Sequence, residues 1–337
     1  MADAPHPFPP LIVVREPDRI SASTRELARR AATGTVTRVR AGVYVDTAAW
    51  RALRVYEQQL LRIAAVVRTR REPPVLCGPS AAAILGLPLF GVPSSDVHLL
   101  AFGGVAPPSG RGIRWHRGVV AEASVIEVAG FRVTDVARTT LDLACSLPLL
   151  KSLPAVDRAL RAEVLAAPLA YVDGRLERAP GTPLRGVGRE RLLESLAAAK
   201  GARGVAVARR TVEFGDPGAA SPGESVSRGQ IRLLGFPRPN TQTAFARADQ
   251  PGRDIVDFDW PDFGTSGEFD GKVKYTRDEY LAGRDAGEVM WLEKQRERRL
   301  KRGHGRDVAR WVWSDITGYA DGLRRELLAA GLPRARS

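Results

Sequence analysis

The sequence predicts an α/β protein of more than one domain, and three observations carry that prediction. A chain of 337 residues, 44% hydrophobic and 26% charged, is long enough to bury two or three cores and too apolar to stay disordered. Stretches of helical periodicity alternate along it with short runs of β-branched and aromatic residues. A stretch rich in Gly, Pro, Ala and Arg, about residues 167–219, then sets the last third apart and reads as a linker with one helical segment, Gly188 to Ala199.

The first unit is read over residues 11–47. Ser21-Ala-Ser-Thr24 leads into Arg25-Glu-Leu-Ala-Arg-Arg-Ala-Ala32, with Ser23 and Glu26 at capping-box spacing and Gly34 placed as a helix stop. Thr35 to Val45 alternates β-branched with basic residues around Ala41-Gly42, the pattern of a two-stranded hairpin. A helix followed by a basic hairpin is the outline of a winged helix. Arg25 and Arg29 on the helix, with Arg38 and Arg40 on the hairpin, are its candidate DNA contacts.

Residues 48–166 read as a mixed α/β middle unit. A helix is expected around Tyr56 to Val67, another from Ser80 to Gly86, and strands up to His116. His98 and His116 lie in strand-like runs and read as structural histidines. In Gly130 to Ala144, Asp135, Arg138, Thr139 and Asp142 read as a polar helix start and a solvated face. Through Leu27-Ala-Arg-Arg30, Arg38-Val-Arg-Ala-Gly-Val-Tyr-Val45 and the Gly130–Ala144 run, the chain resembles AbiEi-type antitoxins and their regulator-like relatives. That resemblance implies a DNA-binding amino terminus and a cognate toxin as a partner.

The last unit, residues 220–330, carries the chemistry. Ser221-Pro-Gly-Glu224 opens a capped helix, in which Glu224 either closes the helix end or serves a site. In the strand Arg253 to Trp260, Val256, Phe258 and Trp260 share one face and Ile255, Asp257 and Asp259 the other. Asp259 and Asp262, flanking the turn before Gly264, read as solvated. A third strand, from Thr265 to Tyr275, places Glu268, Asp270, Lys272 and Lys274 together on one face. Acids are depleted in strands unless something uses them, and Asp257, Glu268 and Asp270 on neighbouring strands can converge on Mg²⁺ or Mn²⁺, hard cations that prefer oxygen ligands. Val289 to Arg302 is an amphipathic helix whose basic face includes Lys294, Arg296 and Arg299, suited to phosphates or paired to Glu293 and Glu297. Val308 to Trp313 closes the unit as a strand, with Trp311 and Trp313 packed inward.

This order of elements, with Val256-Asp-Phe-Asp-Trp-Pro261 and Gly267-Glu-Phe-Asp-Gly271, is similar to the PD-(D/E)xK restriction-endonuclease-like core, in the branch of very-short-patch-repair endonucleases. The resemblance implies a metal-dependent DNA endonuclease with Asp257, Glu268 and Asp270 as ligands. Where that family has acid-x-lysine this chain has Glu268-Phe-Asp270, so the catalytic lysine is sought at Lys274, then Lys294, then Lys272. The alternative is a non-catalytic antitoxin-type regulator with a degenerate nuclease domain.

Composition fits either. Lys and Arg outnumber Asp and Glu by 51 to 38, a net charge of +13 that favours a polyanion, here double-stranded DNA. Cys77 and Cys145 stand far apart and offer no disulfide framework or zinc spacing. No run approaches the roughly 18 apolar residues of a membrane span, so a soluble cytoplasmic protein without membrane contact is expected. Duplex binding should weaken steeply as salt rises, by a log–log slope of about −0.9 per neutralised phosphate. A fluorescence-anisotropy titration at several salt concentrations measures it, and a salt-independent constant would remove the nucleic-acid reading.

Overall fold

The structure is a computed structural model that describes residues 8–14, 22–92, 95–102, 106–117, 124–247, 251–271 and 286–334. It is mixed α/β with several small sheets gathered around two main cores. No helix among the described residues is long and apolar enough to cross a membrane.

The first core begins with β1 (Ile12–Val13), α1 (Ala22–Ala32), β2 (Val36–Arg40) and β3 (Val43–Asp46). The strands form an antiparallel sheet in the order β1-β3-β2, with Val36, Val43 and Val45 buried beneath it. The helix and basic hairpin are therefore present. The cap differs from expectation: α1 already starts at Ala22, which puts Ser23 inside the helix, and the Glu26 carboxylate accepts from Arg29 at 3.0 Å.

The chain continues through α2 (Thr47–Ala52), α3 (Val55–Arg68), α4 (Gly78–Leu85), β4 (Val97–Ala101), β5 (Ile113–Arg117), β6 (Val125–Val128), β7 (Phe131–Thr134), α5 (Val136–Ser146) and α6 (Leu149–Ala159). β4 and β5 run parallel. Their His98 Nδ1 and His116 Nε2 lie 2.8 Å apart, a structural pair as expected. Burial pushes His98 down to about 4, helped by the neighbouring His116 and Arg114, and burial lowers His116 as well. The Asp135 carboxylate caps α5 by accepting from the Arg138 amide at 2.7 Å, and the Arg138 side chain pairs with Asp142 at 2.9 Å. Thr139 is not solvated as expected but fully buried, in hydroxyl contact with Thr134 at 2.7 Å.

Residues 167–219, expected as a linker, are folded into this same core. They supply β9 (Leu169–Val172), β10 (Arg175–Arg178), β11 (Pro183–Arg185), α7 (Arg189–Ala198) and α8 (Val205–Phe214), with β11 pairing to the preceding β8 (Glu163–Leu165). Leu169, Leu176, Leu192, Leu196, Ala208 and Val212 are buried among the side chains of α3 to α6. The expected helix Gly188–Ala199 is α7 with its two caps. The composition misled because its strands are too short to show alternation and its glycines serve contact. Gly204 has φ 83, and a Cβ there would lie 2.0 Å from the Cys145 carbonyl oxygen.

The second core is a four-stranded sheet in the order β12 (Asn240–Ala246), β13 (Arg253–Trp260), β14 (Thr265–Phe269) and β15 (Asp307–Trp311). The first three strands are antiparallel, and β15 joins parallel to β14 after the crossover helix α10 (Ala286–His304). α9 (Pro222–Leu233) covers one face, followed at the end of the chain by α11 (Trp313–Ile316) and α12 (Asp321–Ala329). Val256, Phe258 and Trp260 are buried on β13 as the alternation predicts. Trp311 is buried on β15 and donates to the Ser227 hydroxyl at 2.8 Å, while Trp313 opens α11 and packs edge-on to Phe269. The expected third strand ends at Phe269; Lys272, Lys274 and Tyr275 lie outside the described residues.

A buried ion pair links α6 to α9 where the two cores meet. Arg228, on α9, donates to both Asp157 oxygens at 2.8 and 2.9 Å and to the Phe214 carbonyl at 2.8 Å, with each partner about 1% exposed. The Asp216 amide adds a bond to Asp157 at 2.7 Å. Removing one partner leaves a buried charge uncompensated, so Asp157→Ala should lower stability by about 3–5 kcal/mol, whereas Asp157→Ala combined with Arg228→Met should recover most of it. Urea melts of the three proteins check this; equal losses in the single and double variants would contradict it.

Candidate functional site

The site grows from one row of residues across the sheet. Gln242 on β12 stands opposite Asp257 on β13, Asp257 is one step beyond the Phe258–Gly267 pair and so opposite Glu268 on β14, and Glu268 pairs with Arg310 on β15. α9 approaches β14 on the far face through Gly223, where a Cβ would meet the Phe269 ring at 2.0 Å. Phe269 thus points into the core and its neighbours Glu268 and Asp270 point the other way, towards α10.

Three carboxylates gather there. Glu268, Asp270 and Glu293 each offer an oxygen within 4.8 Å of the others, and Glu268 and Asp270 are buried. Arg310 Nη1 lies among them, 3.2 Å from Glu268, 3.5 Å from Asp270 and 2.6 Å from Glu293. Arg296 closes over the other Glu268 oxygen and also reaches the Ile255 carbonyl. Neither Glu268 oxygen has a well-aligned hydrogen bond, so charge alone holds this carboxylate. Burial works against the Arg310 cation, but Glu268, Glu293 and Asp270 outweigh it and hold its pKa above the ordinary guanidinium value.

Asp257 and Glu224 form an adjoining set. Asp257 Oδ2 accepts from the Phe269 amide at 2.9 Å, and its Oδ1 from Gln242 Nε2 at 3.2 Å. The same Gln242 nitrogen donates to Glu224 Oε2 at 2.9 Å. Gln242 does this from a left-handed backbone, φ 51, a conformation that costs a non-glycine residue free energy. Glu224 also accepts from the Ala220 amide at 2.7 Å, while the Ser221 hydroxyl accepts from the Glu224 amide at 3.2 Å. Glu224 therefore closes the helix end and also faces the sheet.

Two further buried acids of this sheet have arginine partners. Asp259, expected to be solvated, is 3% exposed and accepts from Arg306 at 2.8 Å and from the Ser266 hydroxyl at 3.0 Å. Asp262 is exposed, as expected. Burial opposes ionisation of Asp254, but bonds from Arg299 and Arg247 prevail and hold its pKa below the usual carboxylate range. Arg296 and Arg299, proposed from the sequence as phosphate contacts, are thus engaged by Glu268 and Asp254. Lys294 is exposed and shares a shallow hollow with Glu297, Arg298 and Lys301, apart from the carboxylates. At the amino-terminal unit, Arg25 and Arg38 are exposed, Arg29 is exposed beside Glu26, and Arg40 is partly buried.

Of the residues singled out from the sequence, Glu268 and Asp270 are brought together, Asp257 and Glu224 adjoin them, and Lys294 does not. Glu293, Arg310 and Gln242 were missed. The sequence marks Glu293 only as a partner within its own helix, and nothing in the pattern of Arg310 or Gln242 marks them. Arg310 and Arg296 offset the mutual repulsion of the acids they touch.

The chain matches no protein-family model and no curated protein sequence. Oxygen ligands alone at this spacing suit a hard divalent cation, so the residues present fit Mg²⁺ or Mn²⁺. Such an ion and Arg310 would compete for the same oxygens. Arg310→Met should therefore destabilise the protein in chelator by about 2–4 kcal/mol, and Mn²⁺ should restore a larger share of that loss than it adds to the unsubstituted protein. Thermal melts with and without Mn²⁺ measure both; an Arg310→Met protein indifferent to Mn²⁺ would argue against a metal on these acids.

Proposed function

We propose that residues 220–330 form a metal-dependent nuclease site acting on DNA, with Glu268, Asp270 and Glu293 holding Mg²⁺ or Mn²⁺ and the basic chain binding the duplex. The gathering of three carboxylates within 4.8 Å, two at the end of the inner strand β14 and one on α10, carries this reading. A bound ion supplies the chemistry of phosphodiester hydrolysis by lowering the pKa of its water and neutralising charge on the phosphate. Asp257 acts as a positioning group: by holding the Phe269 amide it fixes the strand end from which Glu268 and Asp270 project. The element order of a helix with Glu224, strands with Asp257 and Glu268-Phe-Asp270, a helix and a closing strand is what the resemblance to PD-(D/E)xK nucleases rests on.

Arg310 favours a second reading. Its guanidinium already bridges the three acids, as a permanent counter-ion would in a degenerate site. The chain would then be a non-catalytic, antitoxin-type DNA-binding regulator, with a cognate toxin as its second partner. Supercoiled-plasmid nicking separates the two. The nuclease reading expects nicking with Mg²⁺ or Mn²⁺ that chelator stops, and a loss of about 10²-fold or more in Glu268→Gln with duplex binding retained. Duplex binding without nicking in either metal would leave the regulator.

A further inference from the structure

A second concentration of charge lies against the first core, apart from the acidic cluster of the second. A cleft of about 610 Å³ opens between the β2 hairpin, α3 and the turn before β5, lined by Arg38, Arg40, Arg62 and Arg111 with Val66 and Val97 behind them. Its volume is that of a small-molecule pocket, roughly 300–1,000 Å³.

The arginines are aimed there by specific local structure. The β2–β3 register shifts between Arg38 and Arg40, a bulge of the kind that re-aims side chains. Arg62 lies over the Trp50 ring, 4.9 Å from its centroid, which fixes one face of the guanidinium. Arg111 sits at φ 53 in the turn before β5, a left-handed conformation unusual for a residue with a side chain.

None of the four has a carboxylate partner among the described residues, and Arg40 Nε and Nη1 are buried without an acceptor. Arg228 and Arg306, by contrast, each meet a carboxylate, Asp157 and Asp259 respectively. A desolvated guanidinium with no counter-ion costs folding free energy, so an anion bound there would be strongly stabilised. Burial, with the nearby Arg70 charge adding to it, lowers the pKa of Arg40, and burial does the same to Arg62.

We propose that this cleft binds a phosphorylated small ligand, with its phosphate on Arg40 and Arg62, Arg38 and Arg111 at the rim, and its apolar part against Val66 and Val97. A tetrahedral, multiply charged oxyanion can satisfy several guanidinium forks at once, which a single carboxylate cannot. The recessed guanidinium of Arg40 suits a small ligand better than a duplex, whose backbone phosphates meet side chains that stand proud of the surface. The proposal is independent of the nuclease reading, since no group of the acidic cluster takes part.

The test uses the full chain, with thermal melts and calorimetry against inorganic phosphate, pyrophosphate and adenosine monophosphate. Saturable binding of pyrophosphate and the nucleotide is expected, each weakened about tenfold or more by Arg40→Gln or Arg62→Gln. Without ligand, Arg40→Gln should melt no lower than the parent, because it removes an unpaired buried cation; Arg38→Gln, on the exposed hairpin, is a further variant that keeps the fold. No saturable binding of any of the three anions, or binding unchanged in Arg40→Gln and Arg62→Gln, would overturn the proposal. Competitive displacement of the nucleotide by a short duplex would also overturn it and assign these arginines to the DNA backbone.

Discussion

The contact between Arg228 and Asp157 fixes where everything in the last third of the chain can stand. One guanidinium nitrogen reaches both carboxylate oxygens while the other holds the Phe214 carbonyl, the pair is excluded from solvent, and it pins α9 to α6 at one angular setting about the helix axis. One turn earlier on α9 is Glu224, whose carboxylate meets Gln242, and Gln242 in turn meets Asp257. The Phe214 carbonyl and the Asp216 amide, from the segment that enters α9, converge on the same pair. A rotation of α9 would break the buried pair and the Glu224 contact together, so the geometry of the sheet is tied to the other core through charge rather than through apolar packing alone.

The same preference governs the face that carries the acids. Glu268, Asp259 and Asp254 are each about 3% exposed or less and would be untenable as isolated anions, yet each has at least one arginine against it. Arginine suits this work because it stays charged at any ordinary pH and offers several donors in a fixed plane. The cost is rigidity of composition: a neutral substitution at any of these arginines leaves a buried acid exposed to its neighbours' charge.

What could be read in the sequence was what short-range periodicity encodes. Alternation on β13 located Val256, Phe258 and Trp260 in the core, and the same rule on β14 placed Glu268 and Asp270 together opposite Phe269. The helix and hairpin of residues 22–46 were legible for the same reason. Long-range pairing was not. Glu293 and Arg310 join the acids through a crossover helix and a parallel register that no local pattern announces, and Gln242 is recruited by a backbone conformation its residue type does not favour. Asp259 looked solvated because its partner, Arg306, lies 47 residues away. The stretch 167–219 looked like a linker because its glycines, such as Gly204, are there for close backbone contact, which composition cannot distinguish from flexibility.

α10 carries several of these ion pairs. Among its described side chains Leu300 is the buried one, Trp291 and Leu292 remain substantially exposed, and the helix meets the sheet through Glu293, Arg296 and Arg299. A helix held in part by ion pairs has an internal sensitivity to electrolyte. Its partly buried pairs are screened less than charges at the open surface, so their loosening begins at higher ionic strength than the loss of counter-ion-driven association. The pairs that seat α10 and the open charges of the surface therefore respond to salt over different ranges within one molecule.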